Sequence, residues 1–387
     1  MKIKDLGKII TGKTPSTKKP ELFGYDYPFI TPSDINTYEV YYVQDTERGL
    51  SKEGYLTQKS KLLPPKTVCY VCIGSTIGKI CLTKKPSFTN QQLNNIIVDQ
   101  SRYVPEYIYY RLRYETPKIQ SISGGTGSGK AIYNKTAFEE FQFEIHDLPL
   151  QHKISSILST YDDLIENNTR RIQILEEMAQ RIYREWFVDF RFPGHEKVKF
   201  VDSEMGKIPE GWEVKRLGDA IELAYGKGLK ASERKSGSVP VFGSGGIVGY
   251  HNQSLVKGPG IIVGRKGNVG SIFWSDRDFF PIDTVFYVRT TICLHYVYYY
   301  LRQMNFINSD AAVPGLNRNQ AYLLPFLIPS EELVDVFQER ICSNFKLVTV
   351  LKSKCEILRT SRDILLPKLI SGELDVSDLD IAIREQE

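Results

Sequence analysis

The chain lacks long apolar runs, a strong excess of charge and the marks of an export signal. No stretch of its 387 residues approaches the roughly 18 to 20 uncharged apolar residues that cross a membrane. Residues 1–5 do not open the apolar core of a signal peptide, so we expect a cytoplasmic protein. The net charge of +4 permits nucleic-acid binding without requiring it. The length allows two domains, each with its own core.

Cysteine and histidine are few, and neither forms a complete metal motif. Cys69 and Cys72 have the spacing of a zinc pair, but the chain contains no second pair of this kind. They lie in a strand-like run, residues 67–73, where positions three apart face opposite sides. The five histidines show no metal-binding spacing. We therefore predict buried, reduced thiols and no metal site.

Motifs of catalysis are missing or incomplete. Residues 124–130 fit the first seven positions of a phosphate-binding loop, but Ala131 stands where a hydroxyl would bind Mg²⁺. Residues 242–246 are out of register for a Phe-x-Gly-x-Gly cofactor loop, and no Asn-Pro-Pro-aromatic tetrapeptide of an amino-methyltransferase is present. These observations favour a protein that binds over one that catalyses.

The chain does contain an internal repeat. Two similar segments, residues 148–154 and 333–341, open long helical patterns about 190 residues apart, and each follows a β-rich stretch of similar length. One unit duplicated head to tail suggests a ligand with two similar sites. Shorter echoes pair residues 3–7 with 214–218, 78–80 with 270–272, 132–135 with 316–319, and 141–145 with 325–329.

Both helical patterns carry an apolar stripe with alternating spacings of three and four residues, which is typical of a coiled coil. Pro367 should kink or end the second helix near Ser371 and Gly372. We expect the two helices, each roughly 50 Å long, to pack on each other; the alternative is that each packs on its own globular domain. The stripes, each with one Asn, consist of Ile154, Leu158, Tyr161, Ile165, Asn168, Ile172, Leu175, Ala179, Ile182 and Trp186, and of Ile341, Asn344, Val348, Leu351, Cys355, Leu358, Arg362, Leu365 and Leu369.

Several phrases, in a fixed order over essentially the whole chain, resemble the specificity subunit of type I restriction-modification enzymes. The resemblance implies an α+β fold with an internal two-fold repeat. Two mixed α/β target-recognition domains with twisted sheets are separated by two long helices, packed as an antiparallel coiled coil. The phrases are Leu-Pro-Leu-Gln at 148–151, Glu-Trp-Phe at 185–187, Gly-Lys-Ile-Pro-Glu-Gly-Trp-Glu-Val-Lys-Arg-Leu-Gly at 206–218, Ser-Gly-Gly-Ile-Val-Gly-Tyr at 244–250 and Leu-Pro-Lys-Leu-Ile-Ser-Gly at 366–372. The implied boundaries are 1–147 and 205–329 for the recognition domains, and 148–190 and 330–375 for the conserved helices.

The resemblance also implies a function. Such a subunit has no catalytic site; each recognition domain reads one half of a split DNA target. It docks two methyltransferase subunits, which use S-adenosylmethionine to methylate adenine, and restriction subunits driven by ATP with Mg²⁺. The chain itself would bind none of these cofactors. A nucleotide-binding protein using residues 124–130, and a coiled-coil scaffold joining two ligand-binding domains, are the alternatives.

The helical pair would set the gap of unspecified bases between the two half-targets. A rod of roughly 50 Å spans at least one turn of B-DNA, which is about 34–36 Å. Pro and Gly within residues 189–195 should end the first helix, and a polar linker should follow to Glu204. We expect an insertion in this linker to lengthen the gap.

Residues that contact DNA should be polar side chains and glycine-loop amides on loops. The turn at residues 265–268 is the strongest candidate, because it combines two cations with an amide side chain. The candidates in the first domain are Lys13, Thr14, Ser16, Lys18, Ser75, Thr76, Lys79, Asn90, Gln91, Gln92, Ser128 and Lys130, and those in the second are Lys227, Lys230, Ser244, Arg265, Lys266, Asn268, Asn317 and Arg318.

Overall fold

The computed structural model describes residues 1–35, 41–123, 132–306 and 315–381. Two structural units divide the chain: residues 1–170 with 351–387 form the first, and residues 171–350 form the second. The boundaries expected from the sequence follow the order of elements along the chain rather than this division, and they stay predictions.

The first unit begins with a helical turn, Ile3–Leu6, and its described residues form two sheets and three α-helices shorter than 20 residues. Its strands are β1 (Gly7–Thr11), β2 (Phe23–Gly24), β3 (Tyr27–Ile30), β4 (Tyr42–Val43), β5 (Gly49–Leu50), β6 (Val68–Val71), β7 (Ile80–Thr83), β8 (Phe88–Thr89) and β9 (Leu93–Val98), and its helices are α1 (Lys52–Gln58), α2 (Pro105–Ser123) and α3 (Lys135–Glu140).

The larger sheet of this unit has the order β1-β9-β6-β7-β4. Its first three pairings are antiparallel, whereas β4 and β7 run parallel. The smaller sheet has the order β2-β5-β3-β8. Helix α2 buries Tyr107 and Ile108 in the same core as Val68 and Ile96 of the larger sheet.

Buried cysteines of the larger sheet contribute to two separate cores. Cys72 belongs to the core beneath α2, whereas Cys69 and Cys81 belong to another. Burial raises the pKa of the Cys72 thiol to about 12. The prediction of buried free thiols is confirmed for these three and for Cys355, while the remaining two cysteines are only half-buried.

The second unit has the same kind of architecture. Its main sheet has the order β13-β19-β16-β17, accompanied by a three-stranded sheet, β15-β14-β18, and two strand pairs, β10-β11 and β12-β20. The strands are β10 (Phe200–Ser203), β11 (Gly206–Pro209), β12 (Glu213–Arg216), β13 (Glu222–Tyr225), β14 (Val239–Gly243), β15 (Gly246–His251), β16 (Gly260–Gly264), β17 (Ile272–Ser275), β18 (Phe280–Pro281), β19 (Val285–Arg289) and β20 (Pro325–Ile328). The two long helices are α4 (Leu148–Phe187) and α8 (Glu331–Ser371), and the short ones are α5 (Leu217–Ala220), α6 (Leu294–Gln303) and α7 (Arg318–Tyr322).

The residues that end α4, 189–195, pack on the second unit, and the polar linker expected after them is mostly exposed and contains strand β10. Phe192 is 7% exposed, and its ring stacks on Trp212 at a centroid distance of 5.6 Å. Strands β10 and β11 form a hairpin on either side of Glu204. We call residues 189–204 the connector. Because burying the rings of Phe192 and Trp212 removes apolar surface from water, the connector is anchored in the core of the second unit.

The two long helices pack together in antiparallel orientation, as expected. In the first unit Cys355 Sγ of α8 lies 3.9 Å from the carbonyl oxygen of Ile165 of α4. In the second unit the rings of Trp186 and Phe337 are 6.0 Å apart. Residue numbers therefore rise along one helix as they fall along the other. Among the described residues, no helix is long and apolar enough to cross a membrane.

The apolar stripe of α4 is buried unevenly. Ile154 and Leu158 are fully buried in the core of the first unit, and Trp186 is buried in the core of the second. Ile172 and Leu175, near the middle of the helix, are only half-buried. Both arrangements considered from the sequence therefore occur: the helices pair with each other, and their ends also pack on the domains.

The ends of the long helices follow from local sequence. Asp147 caps α4, since its Oδ1 accepts the N–H of Leu150 at 3.0 Å. Gln151 ties this first turn to α2 by accepting the N–H of Val104 at 3.0 Å. Helix α8 continues through Pro367 and ends at Ser371. Gly372 follows with φ of +77°, a conformation that commonly ends helices. The predicted end of this helix is confirmed.

Candidate nucleic-acid interface

In the first unit, three loops meet at one end of the larger sheet, which we call its loop end. Strand β1 ends at Thr11 opposite Asn94, and β6 ends at Val71 opposite Leu93. Neighbouring strands here run antiparallel. The loop after β1, the turn before β9 and the β6–β7 turn therefore all leave the sheet at this end.

Hydrogen bonds join these three loops. The Thr14 hydroxyl donates to Gln91 Oε1 at 2.6 Å, and Gln92 Nε2 donates to the carbonyl of Ile73 at 3.2 Å. The N–H of Lys13 donates to the carbonyl of Thr89 at 2.9 Å. The structure thus brings together candidates that the sequence placed in three separate segments.

Three candidates in this unit hold the loops in shape. Asn90 is 9% exposed, and its Nδ2 donates to Gln92 Oε1 at 2.9 Å. Lys79 Nζ donates to the carbonyl of Pro32 at 2.8 Å. Their side chains are used within the protein, so their contact with DNA stays a prediction.

Most of the other DNA-contact candidates in the first unit are exposed, and two lie outside the described residues. The side chains of Lys13, Ser16, Lys18, Ser75 and Gln91 are exposed, and Thr76 is half-buried. Ser128 and Lys130, together with the whole glycine-rich stretch 124–130, lie outside the described residues.

The second unit has a matching loop end. Strand β13 ends at Tyr225 opposite Phe286, and β16 ends at Gly264 opposite Val285. The loop after β13 carries the exposed Lys227 and Lys230, and the β16–β17 turn carries Arg265, Lys266 and Asn268. Ser271 donates its hydroxyl to the carbonyl of Ser244 at 2.7 Å, which brings the β14–β15 turn to the same place.

The two loop ends share a backbone frame. After the first strand of each sheet a glycine N–H donates across the sheet, from Gly12 to Leu93 at 3.1 Å and from Gly226 to Val285 at 3.2 Å. The following lysine N–H donates to the strand beyond, from Lys13 to Thr89 at 2.9 Å and from Lys227 to Pro281 at 3.0 Å. Lys13 and Lys227 are therefore equivalent positions of the repeat.

Close packing explains the glycine before each of these lysines. A Cβ at Gly12 would lie 2.1 Å from the carbonyl oxygen of Asn90, and one at Gly226 would lie 2.0 Å from that of Ile282. No side chain fits at either position without moving the backbone. The frame therefore requires glycine in both units.

The turn that follows the central strand of each sheet is also shared. The N–H of Gly78 donates to Val71 at 3.1 Å, and that of Gly270 donates to Gly264 at 2.9 Å. Both glycines have positive φ, at +98° and +74°. The echo between residues 78–80 and 270–272 is thus confirmed.

The other three echoes are out of register. The N–H groups of Ile3 and Leu217 donate to the carbonyls of Phe141 and Leu324, so residues 141–145 correspond to 324–328. Asn134 caps α3, and Asn317 caps α7 by accepting the N–H of Asn319 at 3.0 Å. Residues 132–135 therefore correspond to 315–318, one position earlier than the sequence suggested. The helical turn Ile3–Leu6 corresponds to α5, Leu217–Ala220, and not to residues 214–218. Because its side chain is used as a cap, contact of Asn317 with DNA also stays a prediction.

On this shared frame the second unit carries an arginine–tyrosine cluster, which we define as Tyr225, Arg265 and Arg318. The guanidinium carbons of Arg265 and Arg318 lie over the Tyr225 ring, 4.9 and 4.8 Å from its centroid. The Phe286 ring supports the tyrosine at 5.0 Å. Tyr225 is 50% exposed, so the cluster is open to solvent.

Sequence reasoning missed Tyr225. The signal that would have found it is the repeat itself, since Thr11-Gly-Lys13 and Tyr225-Gly-Lys227 occupy equivalent positions. The sequence echo was instead placed three residues off, so this correspondence was hidden. No group of three or more metal-binding side chains occurs among the residues that the structure describes.

Comparison with known proteins places these features in a family. The family model for the type I restriction modification DNA specificity domain matches residues 1–177 and 209–346. The MjaIX specificity subunit of Methanocaldococcus jannaschii is 28% identical over 412 residues, which covers 98% of this chain and 94% of that protein. The HindI specificity subunit of Haemophilus influenzae is 35% identical over 187 residues, covering 46% of this chain and 39% of that protein.

A solved structure shares the fold. The S subunit of a type I restriction-modification system from M. genitalium has a TM-score of 0.58 with 19% identity, and the similarity covers 95% of each chain. The family match covers both halves of the repeat, in agreement with the two loop ends described above. The chain therefore belongs to the family of type I restriction-modification DNA specificity subunits.

Proposed function

We propose that this chain is the non-catalytic DNA-reading subunit of a type I restriction-modification complex. Each unit contacts one half of a bipartite target with its loop end, and the paired helices α4 and α8 set the distance between the halves. The exposed lysines Lys13 and Lys227 contact phosphates, and neighbouring loop residues read the bases.

The observation that carries this proposal is the shared backbone frame of the two loop ends. Both place a lysine immediately after a glycine that packs against a carbonyl, with a positive-φ glycine turn beside it. A frame preserved within one chain, with different side chains mounted on it, suits two similar half-sites of different sequence.

Partner subunits supply the chemistry in this proposal. Two methyltransferase subunits dock on the helical pair and use S-adenosylmethionine to methylate adenine. Restriction subunits use ATP and Mg²⁺. The chain itself binds neither cofactor, and the complex acts on double-stranded DNA in the cytoplasm. Binding of ATP by the purified chain alone would instead support the nucleotide-binding alternative.

The salt dependence of DNA affinity tests the phosphate contacts. The full chain is assembled with its methyltransferase partner, and affinity for target duplex is measured between 50 and 200 mM salt. Each phosphate contact contributes about 0.9 to the slope of log affinity against log salt. We expect Lys13→Gln and Lys227→Gln each to lower affinity and to reduce the slope by about one.

Lys8 and Lys215 offer matched controls. Both are exposed; Lys8 lies near the start of β1, away from the loop end, and Lys215 lies on β12 in a different sheet. Their Gln variants lose the same charge and should leave the slope unchanged. If all four variants behave alike, the loop ends are not the DNA-contacting surfaces.

A further inference from the structure

We propose that the second unit reads a guanine through Arg265 and Arg318, held on the ring of Tyr225, and that the equivalent described positions of the first unit form no such reader. This inference rests on the proposed function and names the specificity-determining residues of one half-site. It predicts that the two halves of the target are read by different chemistry on the same frame.

Each arginine of the cluster is oriented by more than the tyrosine ring. Arg265 Nη1 donates to the carbonyl of Asp283 at 3.0 Å. This bond uses one of the five N–H donors of the guanidinium and helps to orient the group. The backbone of Arg265 is fixed too, because its carbonyl accepts the N–H of Leu316 at 2.8 Å. Arg318 begins α7 directly after the capping residue Asn317, so its backbone is also ordered. Both side chains are half-buried.

The chemistry of the cluster suits a base edge. A guanidinium held over an aromatic ring loses less freedom on binding than an unrestrained one, and its donors lie in one plane. Guanine offers two acceptors, O6 and N7, side by side in the major groove, and arginine is their commonest partner. The Nε of Arg318 is buried and has no hydrogen-bond partner among the described residues, so a contact of this side chain with a base would use its terminal nitrogens.

A phosphate is the less suitable ligand for this cluster. The exposed Lys227 lies on the same loop end, one residue beyond Gly226, and a flexible ammonium is sufficient for a phosphate. A guanidinium fork also matches a phosphate, but one lysine suffices for that contact, whereas two arginines held over one ring suit the paired acceptors of a base edge. We therefore assign the cluster to a base and the lysine to the backbone of the DNA.

The first unit shows what the same frame looks like without this cluster. Thr11 occupies the position of Tyr225, Cys72 that of Arg265, and Asn94 that of Phe286, as the equivalent hydrogen bonds and strand pairings establish. The Thr11 hydroxyl donates to Asn94 Oδ1 at 2.7 Å, so these polar groups satisfy each other. Cys72 is buried, with 1% exposure.

The fourth position differs as well. Lys135 stands where the second unit has Arg318, and its Nζ pairs with Glu139 one helical turn away at 3.2 Å. Four positions thus differ together on one backbone frame. The coordinated difference is the expected result if the cluster acts as a single reader.

Methylation specificity tests the inference. The full chain is assembled with its methyltransferase partner, its target is mapped from methylated DNA, and rates are measured on duplexes that vary each specified base pair. A good bidentate contact to a base corresponds to about 5- to 150-fold discrimination. We expect Arg265→Gln or Arg318→Gln to reduce discrimination at one G·C pair by a factor in this range and to leave the other half-site unchanged.

Two further variants separate base reading from loss of charge or fold. Arg318→Lys keeps the charge but loses the fork, and it should relax the same G·C pair. Tyr225→Leu removes the stacking ring and should relax that pair while both arginines remain. Lys227→Gln should slow methylation of all duplexes by the same factor. Tryptophan fluorescence checks that each variant is folded.

The outcomes distinguish this inference from the proposed function. If the arginine variants slow all duplexes equally, the cluster contacts phosphates and the inference is wrong, although the chain still binds DNA. The inference also fails if no G·C pair is relaxed by either variant. If the unaltered complex shows no sequence-specific binding or methylation, the proposed function itself fails.

Discussion

Asp162 of α4 and Arg362 of α8 form an ion pair whose side chains are only 4% and 2% exposed. The Tyr110 hydroxyl donates to the same carboxylate, and Arg362 Nε donates to Asp363 Oδ1 at 2.9 Å. Burial raises the pKa of Asp162, because lost hydration outweighs the attraction of Arg362. Burial alone would lower the pKa of Arg362, but the attraction of Asp162 and Asp363 outweighs burial, so the pKa is raised overall. The pair fixes one register of the two helices.

Removing one partner of this pair should cost more than replacing both. Asp162→Ala leaves the Arg362 charge buried without its main partner, and we expect the free energy of unfolding to fall by about 3–5 kcal/mol. The double variant with Asp162→Leu and Arg362→Met should recover most of this loss. Denaturant unfolding followed by circular dichroism measures both.

An exposed pair in the same unit is the control. Lys84 and Glu166 are 2.8 Å apart with side chains 43% and 47% exposed, so Glu166→Ala should cost less than about 1 kcal/mol. Equal losses from Glu166→Ala and Asp162→Ala would contradict the importance given to burial.

A half-buried histidine is expected to make the second unit sensitive to acid. His295 of α6 lies between Trp274 and Phe345, with ring centroids 4.8 and 4.2 Å away. Burial lowers the pKa of His295 to about 4. In the unfolded chain the pKa of this histidine is near 6.5, so the imidazole binds a proton more tightly there than in the folded protein. Stability therefore falls as the pH drops from about 6.5 towards 4.

We expect the second unit to lose about 1–2 kcal/mol from this group between pH 7 and pH 5, allowing for its partial exposure. All three tryptophans lie in this unit, so fluorescence follows its unfolding. His295→Phe keeps a packed ring and takes up no proton, so its loss over the same interval should be smaller. An identical loss in both proteins would rule out His295 as the source.

Periodic features were the ones that the sequence predicted well. The stripes of α4 and α8 repeat every three or four residues over many turns, so their helical structure and mutual packing could be inferred. The echo between Gly78 and Gly270 was found because a positive φ requires glycine at both positions. These signals are local, or they recur many times.

Features that depend on distant contacts were missed. Arg362 was placed on an apolar stripe, but its partner Asp162 lies off the stripe of α4, and only the folded pair of helices brings them together. Tyr225 gains its role from Arg318, which follows several strands later in the chain. The similarity between residues 3–7 and 214–218 was misleading, since the structure aligns Asp5 with Asp219 in the helical turns Ile3–Leu6 and Leu217–Ala220.

The glycine before Lys227 should be far less tolerant than its neighbour two residues on. A Cβ at Gly226 would lie 2.0 Å from the carbonyl of Ile282, whereas one at Gly228 meets nothing within 4 Å. We expect Gly226→Ala to lower the free energy of unfolding by about 1–3 kcal/mol and to weaken DNA binding by displacing Lys227. Gly228→Ala should change neither quantity. Equal DNA affinity of the two variants would show that the frame does not position the lysine.

The distance between half-sites should depend on α4 and α8 rather than on the connector. Each helix contributes residues to both units, with the division after Arg170 in α4 and before Leu351 in α8. The connector cannot act as a free spacer, because Phe192 packs on Trp212 within the second unit. We therefore expect an insertion in the two helices, rather than in the linker, to lengthen the gap between the half-sites.

Insertion of seven residues into both helices at this division keeps the apolar stripes in phase. It adds about 10 Å of helix, which corresponds to about three base pairs of DNA. Methylome mapping of cells that carry the lengthened chain with its methyltransferase partner should show the same two half-sites separated by about three more unspecified base pairs. Insertion of the same seven residues between Glu204 and Met205 serves as the control. Ser203 and Gly206 pair across that turn, so the hairpin closes below the insertion and the gap should not change. A gap that lengthens with the hairpin insertion and not with the helical one would show that the connector sets the spacing.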